Sequence, residues 1–276
     1  MKKTGKVYLF MSRWKHRFSY NFNLLKTVYV NFAFLPYKQA IRLPIFVYGK
    51  VKIYGHSGKI VIEDRIRQGM IHLGVNTDTF SASKGSALIN ITGLLIFKGD
   101  ASFSVDYTLN IFGECVIGKY SVFGNSVKIC CWNKITVGKS CRLAVESQLF
   151  DTNFHYMRNV ETGQVSRRDG TVVLGDYCWV GNRTTIAKGA QLPDYSLVSG
   201  NSFVNKSFVD SNVKYPFLAG VPAKIISSMR VRIYDSLEEE KIDQFFKDHP
   251  DALYYSGEQG EQNEEKELEQ SFNKTL

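Results

Sequence analysis

From Val172 to Phe208 one apolar series occupies every sixth position: Leu174, Val180, Ile186, Leu192, Val198 and Val204. The residue two places before is usually small, as at Cys178, Thr184, Ala190, Ser196 and Ser202. The residue after is small or turn-prone: Gly175, Gly181, Ala187, Pro193, Ser199 and Asn205. An α-helix repeats about every 3.6 residues and an ordinary strand about every 2. A sustained period of six fits neither. It fits a β-helix of hexapeptides, each forming one short side of a prism. The apolar residue fills the narrow interior, and the small one lets the wall turn past it.

Less regular runs of the same period come earlier: Ile91, Phe97, Phe103, Leu109, then Ile111, Ile117, Phe123, Ile129, Ile135, then Val137, Leu143, Leu149. The two-residue slips between runs read as bulges at prism corners. The aromatic core positions of the first run imply wider coils. Between the last run and Val172 lies a polar excursion, residues 151–171, with the sequence DTNFHYMRNVETGQVSRRDGT. It breaks the period and holds the only histidine between Leu73 and Phe208. A long loop on a rigid scaffold is where chemistry is expected.

The flanks divide by charge. Residues 1–62 carry twelve Lys or Arg and no Asp or Glu, within a net charge of +9. Residues 237–276 carry four Lys against twelve Asp or Glu. A basic head suits an anionic neighbour such as a membrane surface, and it also suits a solvated face or the chain's own acidic tail. Residues 11–35 show helical spacing of apolar residues, and residues 45–73 alternate like short strands. A solenoid end exposes core and strand edges, so the helical segment is expected to pack on the core, and residues 45–73 to start the prism or cap its first turn. Asp235 and Ser236 are cap candidates for a helix over residues 235–250, with Ile242, Phe245 and Phe246 expected to face the body. The expected organisation is a basic helix and β cap at 1–90, the repeat domain at 91–230, a helix at 231–255 and a disordered acidic tail at 256–276. No stretch reads as a membrane span or a secretory leader, which points to the cytoplasm. The five cysteines are odd in number and lack metal-ligand spacing, so they read as structural.

Taken together, the hexapeptides, the DTNFH loop, the stretch LGDYCWVGNRTTIAKGAQLPDYSLVSGNSFV and the closing GVPAKII resemble the hexapeptide-repeat acyltransferases. Within them, the chain is most similar to O-acetyltransferases of bacterial surface polysaccharides. The likeness covers about residues 90–230. It implies an all-β, left-handed parallel β-helix, a homotrimer, and acetyl-CoA bound between neighbouring subunits. It implies no metal and no nucleic-acid partner.

By the same resemblance, His155 is the expected general base. A neutral imidazole accepts a hydroxyl proton near neutral pH. Asp151, four residues earlier, is expected either to orient that imidazole or to cap the turn. Relatives often read Asp-Thr-Asp-Phe-His here, and Asn153 replaces the second Asp. Trp179, Ala187, Ser199, Lys206, Pro222 and Lys224 are the expected cofactor-binding residues, the lysines for phosphates. Val221 stands where relatives have Asn in the closing motif. Arg167 and Arg168, with Asn153, are candidates for the acceptor.

Two alternatives stay open. The same scaffold serves N-acetylation of an amino sugar or sugar nucleotide, and a β-helix can also serve assembly or binding alone. A zinc-dependent hexapeptide enzyme needs three histidines and finds only His155 in the repeat region. No GxxxxGK[ST] phosphate loop is present.

Overall fold

The computed structural model of the chain describes residues 21–75, 85–257, 268–270 and 272–273, and its long sheets are almost entirely parallel. The first face stacks Ile45–Val47, Ile71–Leu73, Ala101–Phe103, Ser121–Phe123, Arg142–Leu143, Trp179–Val180 and Leu197–Val198. The second stacks Val51–Gly55, Ala87–Ile91, Thr108–Ile111, Lys128–Cys131, Gln148–Phe150, Thr185–Ala187 and Phe203–Val204. The third stacks Lys59–Ile62, Leu94–Phe97, Glu114–Ile117, Lys134–Val137, Thr171–Leu174 and Gln191–Leu192. The chain visits the three faces in turn, one strand each. This is the parallel β-helix that the period predicts.

Register explains the slips. In the middle of the prism Ser121 sits on Ala101 and Lys128 on Thr108. Above it Leu197 sits on Trp179 and Phe203 on Thr185, so the upper coils are shorter by a pair of residues. The extra pair falls at the corner between the second and third faces, at Phe112–Gly113 and Trp132–Asn133. On the second face the strands of the longer coils bury a pair of side chains, such as Leu109 with Ile111 and Ile129 with Cys131, so the hexapeptide series can be counted from either. The longer coils hold the aromatic core. Phe103 and Phe123 stack inside with ring centroids 4.1 Å apart, and Phe97 and Tyr107 are wholly buried. The shorter coils hold Val180, Ile186, Leu192 and Val198. Burying each such side chain contributes on the order of 1.5–3 kcal/mol. All five cysteines are free and buried.

Of the two roles open to residues 45–73, starting the prism or capping it, the strands start it, so the prism begins before the regular repeats do. Its first coil starts at Ile45, not near residue 91, and pairs directly with Ile71–Leu73. The period is hidden there because the steps are uneven. Ile45 pairs with Ile71, and Ile71 with Ala101; both steps are longer than those of the regular coils, and they differ from each other.

The cap is a helix, Leu24–Phe34, with Asn23 accepting from the Lys26 amide at 3.0 Å as N-cap. Part of the helical stretch expected over 11–35, residues 11–20, lies outside the described residues. The helix closes the open edge of the first strand with side chains. Asn31 accepts from the Ile45 amide at 3.1 Å and donates to the Ile45 carbonyl at 2.7 Å, while Thr27 Oγ1 accepts from the Val47 amide at 3.0 Å. These two polar residues are fully buried and stand in for a neighbouring strand. At the other end, Phe217–Gly220 and Ala223–Ser227 finish the first face as an antiparallel pair.

The C-terminal region departs from expectation twice. The helix Ser236–Asp248 forms, with Asp235 capping the Leu237 amide at 2.8 Å, but Ile242 and Phe245 are only half-buried and Phe246 is exposed. Phe245 stacks instead on His249 and meets Tyr255. The tail expected to be disordered contains a helical turn at 268–270. There Leu268 and Phe272 are buried against Tyr120, Val122, Tyr177 and Tyr234. Two apolar residues spaced by four form one helical face, which an acidic average composition conceals.

Candidate active site

The excursion grows from the same corner that carries the extra pair in the coils beneath. At two earlier corners a pair of amides points at one carbonyl of the next coil. Thr92 and Gly93 donate to the Ile111 oxygen, and Phe112 and Gly113 donate to the Cys131 oxygen. Gly113 is required by this stacking, since a Cβ there would lie 2.2 Å from the Asn133 oxygen. In the next coil the position above Cys131 is Asp151, where the chain leaves the wall. Its carbonyl is taken by the Gly170 amide at 2.8 Å, where the chain returns. The Asp151 carboxylate then replaces the missing carbonyl. Oδ1 accepts from the Trp132 amide and Oδ2 from the Asn133 amide, each at 2.8 Å. Burial raises the Asp151 pKa from its ordinary value, and the amide donors counter that shift.

Above this root the excursion is an ordered hairpin arm. Thr152 bridges Asp169, and the Asn153 amide donates to the Arg168 carbonyl at 2.8 Å. Met157–Arg158 pairs antiparallel with Val165–Ser166. The tip is tied by Asn159, whose Oδ1 accepts from the Glu161 and Thr162 amides at 2.9 Å. Lys188, on the next coil, donates to the Arg167 carbonyl at 2.7 Å and tethers the arm's return strand.

His155 sits just past the root. Thr152 Oγ1 accepts from the Phe154 amide at 3.0 Å, and Phe154 adopts a left-handed φ of 62°. Corner residues of the prism such as Tyr120, Tyr177 and Arg183 adopt the same conformation, so here it serves to turn the chain. The Phe154 ring packs edge-on against Phe150, with centroids 5.9 Å apart. His155 is exposed, and its imidazole has no hydrogen-bond partner among the described residues. No Asp151–His155 hydrogen bond forms there: the Asp151 side chain is buried in the wall, where it accepts the Trp132 and Asn133 amides, whereas His155 is exposed.

Arg168 is more specific than its sequence position suggests. Its guanidinium carbon lies 4.7 Å from the Trp132 ring centroid and 5.2 Å from that of Tyr156, the residue after His155. Trp132 in turn packs on Phe112, with centroids 4.8 Å apart. Phe112 and Trp132 form an exposed aromatic ladder up the corner, and Arg168 lies across its top. Sequence reading missed this ladder. The signal was present, since the two residues are one coil apart, each directly before a corner Gly or Asn.

The expected site residues divide into two sets. Asp151, Asn153, His155, Arg167 and Arg168 belong to the arm, and Ala187 lies above Phe150 at the end of a second-face strand. Lys206 follows the last second-face strand, with its ammonium 5.3 Å from the Phe208 ring centroid. Trp179 lies on the first face, between Arg142 and Leu197. Ser199 follows the first-face strand and donates its amide to Leu218 at 2.8 Å. Pro222 and Lys224 lie in the antiparallel pair that ends that face, both exposed. One chain therefore does not bring the two sets onto one face. Among the described residues no cluster of His, Cys, Asp or Glu is suited to a metal, and no helix is long and apolar enough to cross a membrane.

No family model matches the sequence. A polysialic acid O-acetyltransferase of Neisseria meningitidis is 25% identical over 122 residues, covering 43% of this chain and 55% of that protein. The chain thus spans about half the length of this curated relative. Among solved structures, that of the polySia-specific acetyltransferase NeuO superposes with a TM-score of 0.52 at 17% identity, covering 77% of this chain and 87% of that one. That of the polysialic acid O-acetyltransferase OatWY gives a TM-score of 0.39 at 21% identity, covering 71% of this chain and all of that one. With its hexapeptide period and three parallel faces, the chain has a parallel β-helix fold, the fold it shares with the polySia-specific acetyltransferase NeuO.

Proposed function

We propose that the protein is an acetyl-CoA-dependent O-acetyltransferase that modifies a sugar hydroxyl of a glycan or its precursor, in surface polysaccharide biosynthesis. The observation that carries this reading is the arm. It presents His155 exposed and without a hydrogen-bond partner among the described residues, next to Tyr156, which stacks with Arg168 and through it with Trp132. The likeness to a polysialic acid O-acetyltransferase supports the sugar-hydroxyl acceptor.

The chain's own residues divide the work. The aromatic ladder of Phe112 and Trp132 offers flat faces for a sugar ring. Arg168 is held by stacking, which leaves its planar donor edge available for an anionic acceptor group. The His155 imidazole takes the hydroxyl proton as the sugar oxygen attacks the thioester carbonyl. Collapse of the tetrahedral adduct breaks the carbon–sulfur bond, and the departing thiolate receives that proton from the imidazolium.

The cofactor arm is held by Trp179, Ser199, Pro222 and Lys224 of one subunit, facing His155, Ala187 and Lys206 of its neighbour in a homotrimer. The separation of these sets within one chain supports that arrangement. The enzyme works on the cytoplasmic side, with its basic head toward an anionic membrane.

His155→Ala is expected to lower acetyl-CoA turnover on a glycan acceptor by about 10²–10⁴-fold while leaving the melting temperature unchanged. Unchanged turnover would remove the mechanism. Consumption of acetyl-CoA with amine acceptors alone would replace the O-acetyl reading by N-acetylation.

A further inference from the structure

The cap helix Leu24–Phe34 is apolar on two sides. Thr27, Val30, Asn31 and Phe34 face the prism and are buried. Leu24, Leu25, Val28 and Phe32 occupy the opposite side and are exposed, Leu25 by 83%. The short helix Tyr37–Ala40 extends this surface, with Tyr37 72% and the following Ile41 54% exposed. Helices apolar all round are normally covered on both sides, and a contiguous apolar patch of this kind marks an interaction surface.

Charge decides what covers it. Lys38, Arg42 and Lys50 are exposed around the patch, and Lys26 is half-buried on the helix itself. No Asp or Glu occurs before Glu63. A second copy docked patch to patch would set cations against cations. The described part of the acidic tail is engaged elsewhere, with Leu268 and Phe272 on the Tyr120, Tyr177 and Tyr234 cluster. An apolar face rimmed by Lys38, Arg42 and Lys50, with Asp106 the one acid in the groove beside Leu24 and Leu25, matches the interface of an anionic bilayer, where aromatic and aliphatic side chains enter the headgroup boundary and Lys and Arg meet lipid phosphates.

We infer that the exposed face of Leu24–Phe34, continued by Tyr37 and Ile41, docks the base of the prism onto an anionic lipid surface. The prism axis then stands away from the membrane, and the arm is carried above it. In the homotrimer three such faces share one end, so weak single contacts add as avidity. Only this avidity clause rests on the proposed trimer. The docking face stands without acyl transfer.

The five native cysteines are buried, so a single surface cysteine can be labelled selectively. The full chain carrying Leu25→Cys with an environment-sensitive fluorophore is titrated with vesicles of phosphatidylcholine alone or mixed with phosphatidylglycerol. The expected result is a blue shift with the anionic vesicles that weakens as salt rises. Lys38→Gln with Arg42→Gln should weaken binding roughly tenfold or more. Leu25→Glu with Phe32→Glu should abolish it in co-sedimentation while leaving acetyl-CoA turnover on a soluble acceptor intact. That last readout separates a failure of docking from a failure of the proposed activity. Equal, salt-insensitive binding to both vesicle types would overturn the inference. So would a probe already blue-shifted without vesicles, since the face would then be covered by the chain itself or by another copy.

Discussion

Asp151 combines a motif position with a structural duty that only the neighbouring coil reveals. It is wholly buried, and its two oxygens accept the Trp132 and Asn133 amides at the point where the wall's own carbonyl is diverted to Gly170. Asp151→Ala leaves both amides buried without acceptors and is expected to cost about 2–4 kcal/mol in denaturant unfolding. Asp151→Asn keeps one acceptor oxygen and turns an NH2 toward the other amide, so it should fall between. The pH dependence has a definite sign. The folded-state pKa is raised above 3.8, so folded protein holds the proton more tightly than unfolded chain. The group's contribution is therefore most favourable at low pH and declines as pH rises through the window from 3.8 to the raised value. Unfolding curves of wild type and Asp151→Asn should converge as pH increases through that window, and divergence would contradict the assignment. The sequence made Asp151 visible through its spacing from His155. It concealed the amides, because Trp132 and Asn133 lie one coil away. The Trp132–Arg168–Tyr156 stack was hidden for the same reason. Two of its members come from the arm and one from the wall, and no local pattern joins them.

At the scale of elements, the hexapeptide strands were the most legible feature, since each inward side chain marks its own face. The first coil was less legible. Its long and unequal steps, from Ile45 to Ile71 and from Ile71 to Ala101, leave no fixed period to detect. The arm could be read as an interruption but not as a hairpin, because its strands, Met157–Arg158 and Val165–Ser166, are very short and exposed. The cap helix illustrates how an element can protect a sheet. Asn31 imitates a strand by both donating to and accepting from Ile45. Asn31→Leu would leave that amide and carbonyl unpaired in a buried setting. The expected cost is about 2–4 kcal/mol, accompanied by concentration-dependent aggregation through the opened edge, measured by light scattering. Asn31→Asp retains the acceptor and should rescue only part of the loss. Equal stability of Asn31→Leu and wild type would mean that the edge is closed by something else.

For the whole molecule, the division of site residues between two faces leads to a complementation experiment. In the proposed homotrimer, chains with His155→Ala and chains with Lys224→Glu are each expected to be impaired on their own. Refolded together, they form mixed trimers in which one junction pairs an intact His155 with an intact Lys224. Acetyl transfer should reappear in the mixture and not in either parent. Activity absent from a mixture that chromatography shows to be hetero-trimeric would mean that one chain completes its own site.

The stacking of coils also makes the molecule a ruler. The strand that leads into the arm, Gln148–Phe150, is the fifth on the second face, counted from Val51–Gly55 at the base. Strands repeat about every 4.8 Å, so four steps raise the root of the arm roughly 19 Å above that first strand. A rigid parallel prism permits no sliding between coils, so this height is fixed by how many coils the sequence encodes. A chain with one more coil below the arm would hold the same chemistry about 4.8 Å higher. If the base rests on lipid, the coil count becomes a measure of how far from the bilayer a glycan is modified.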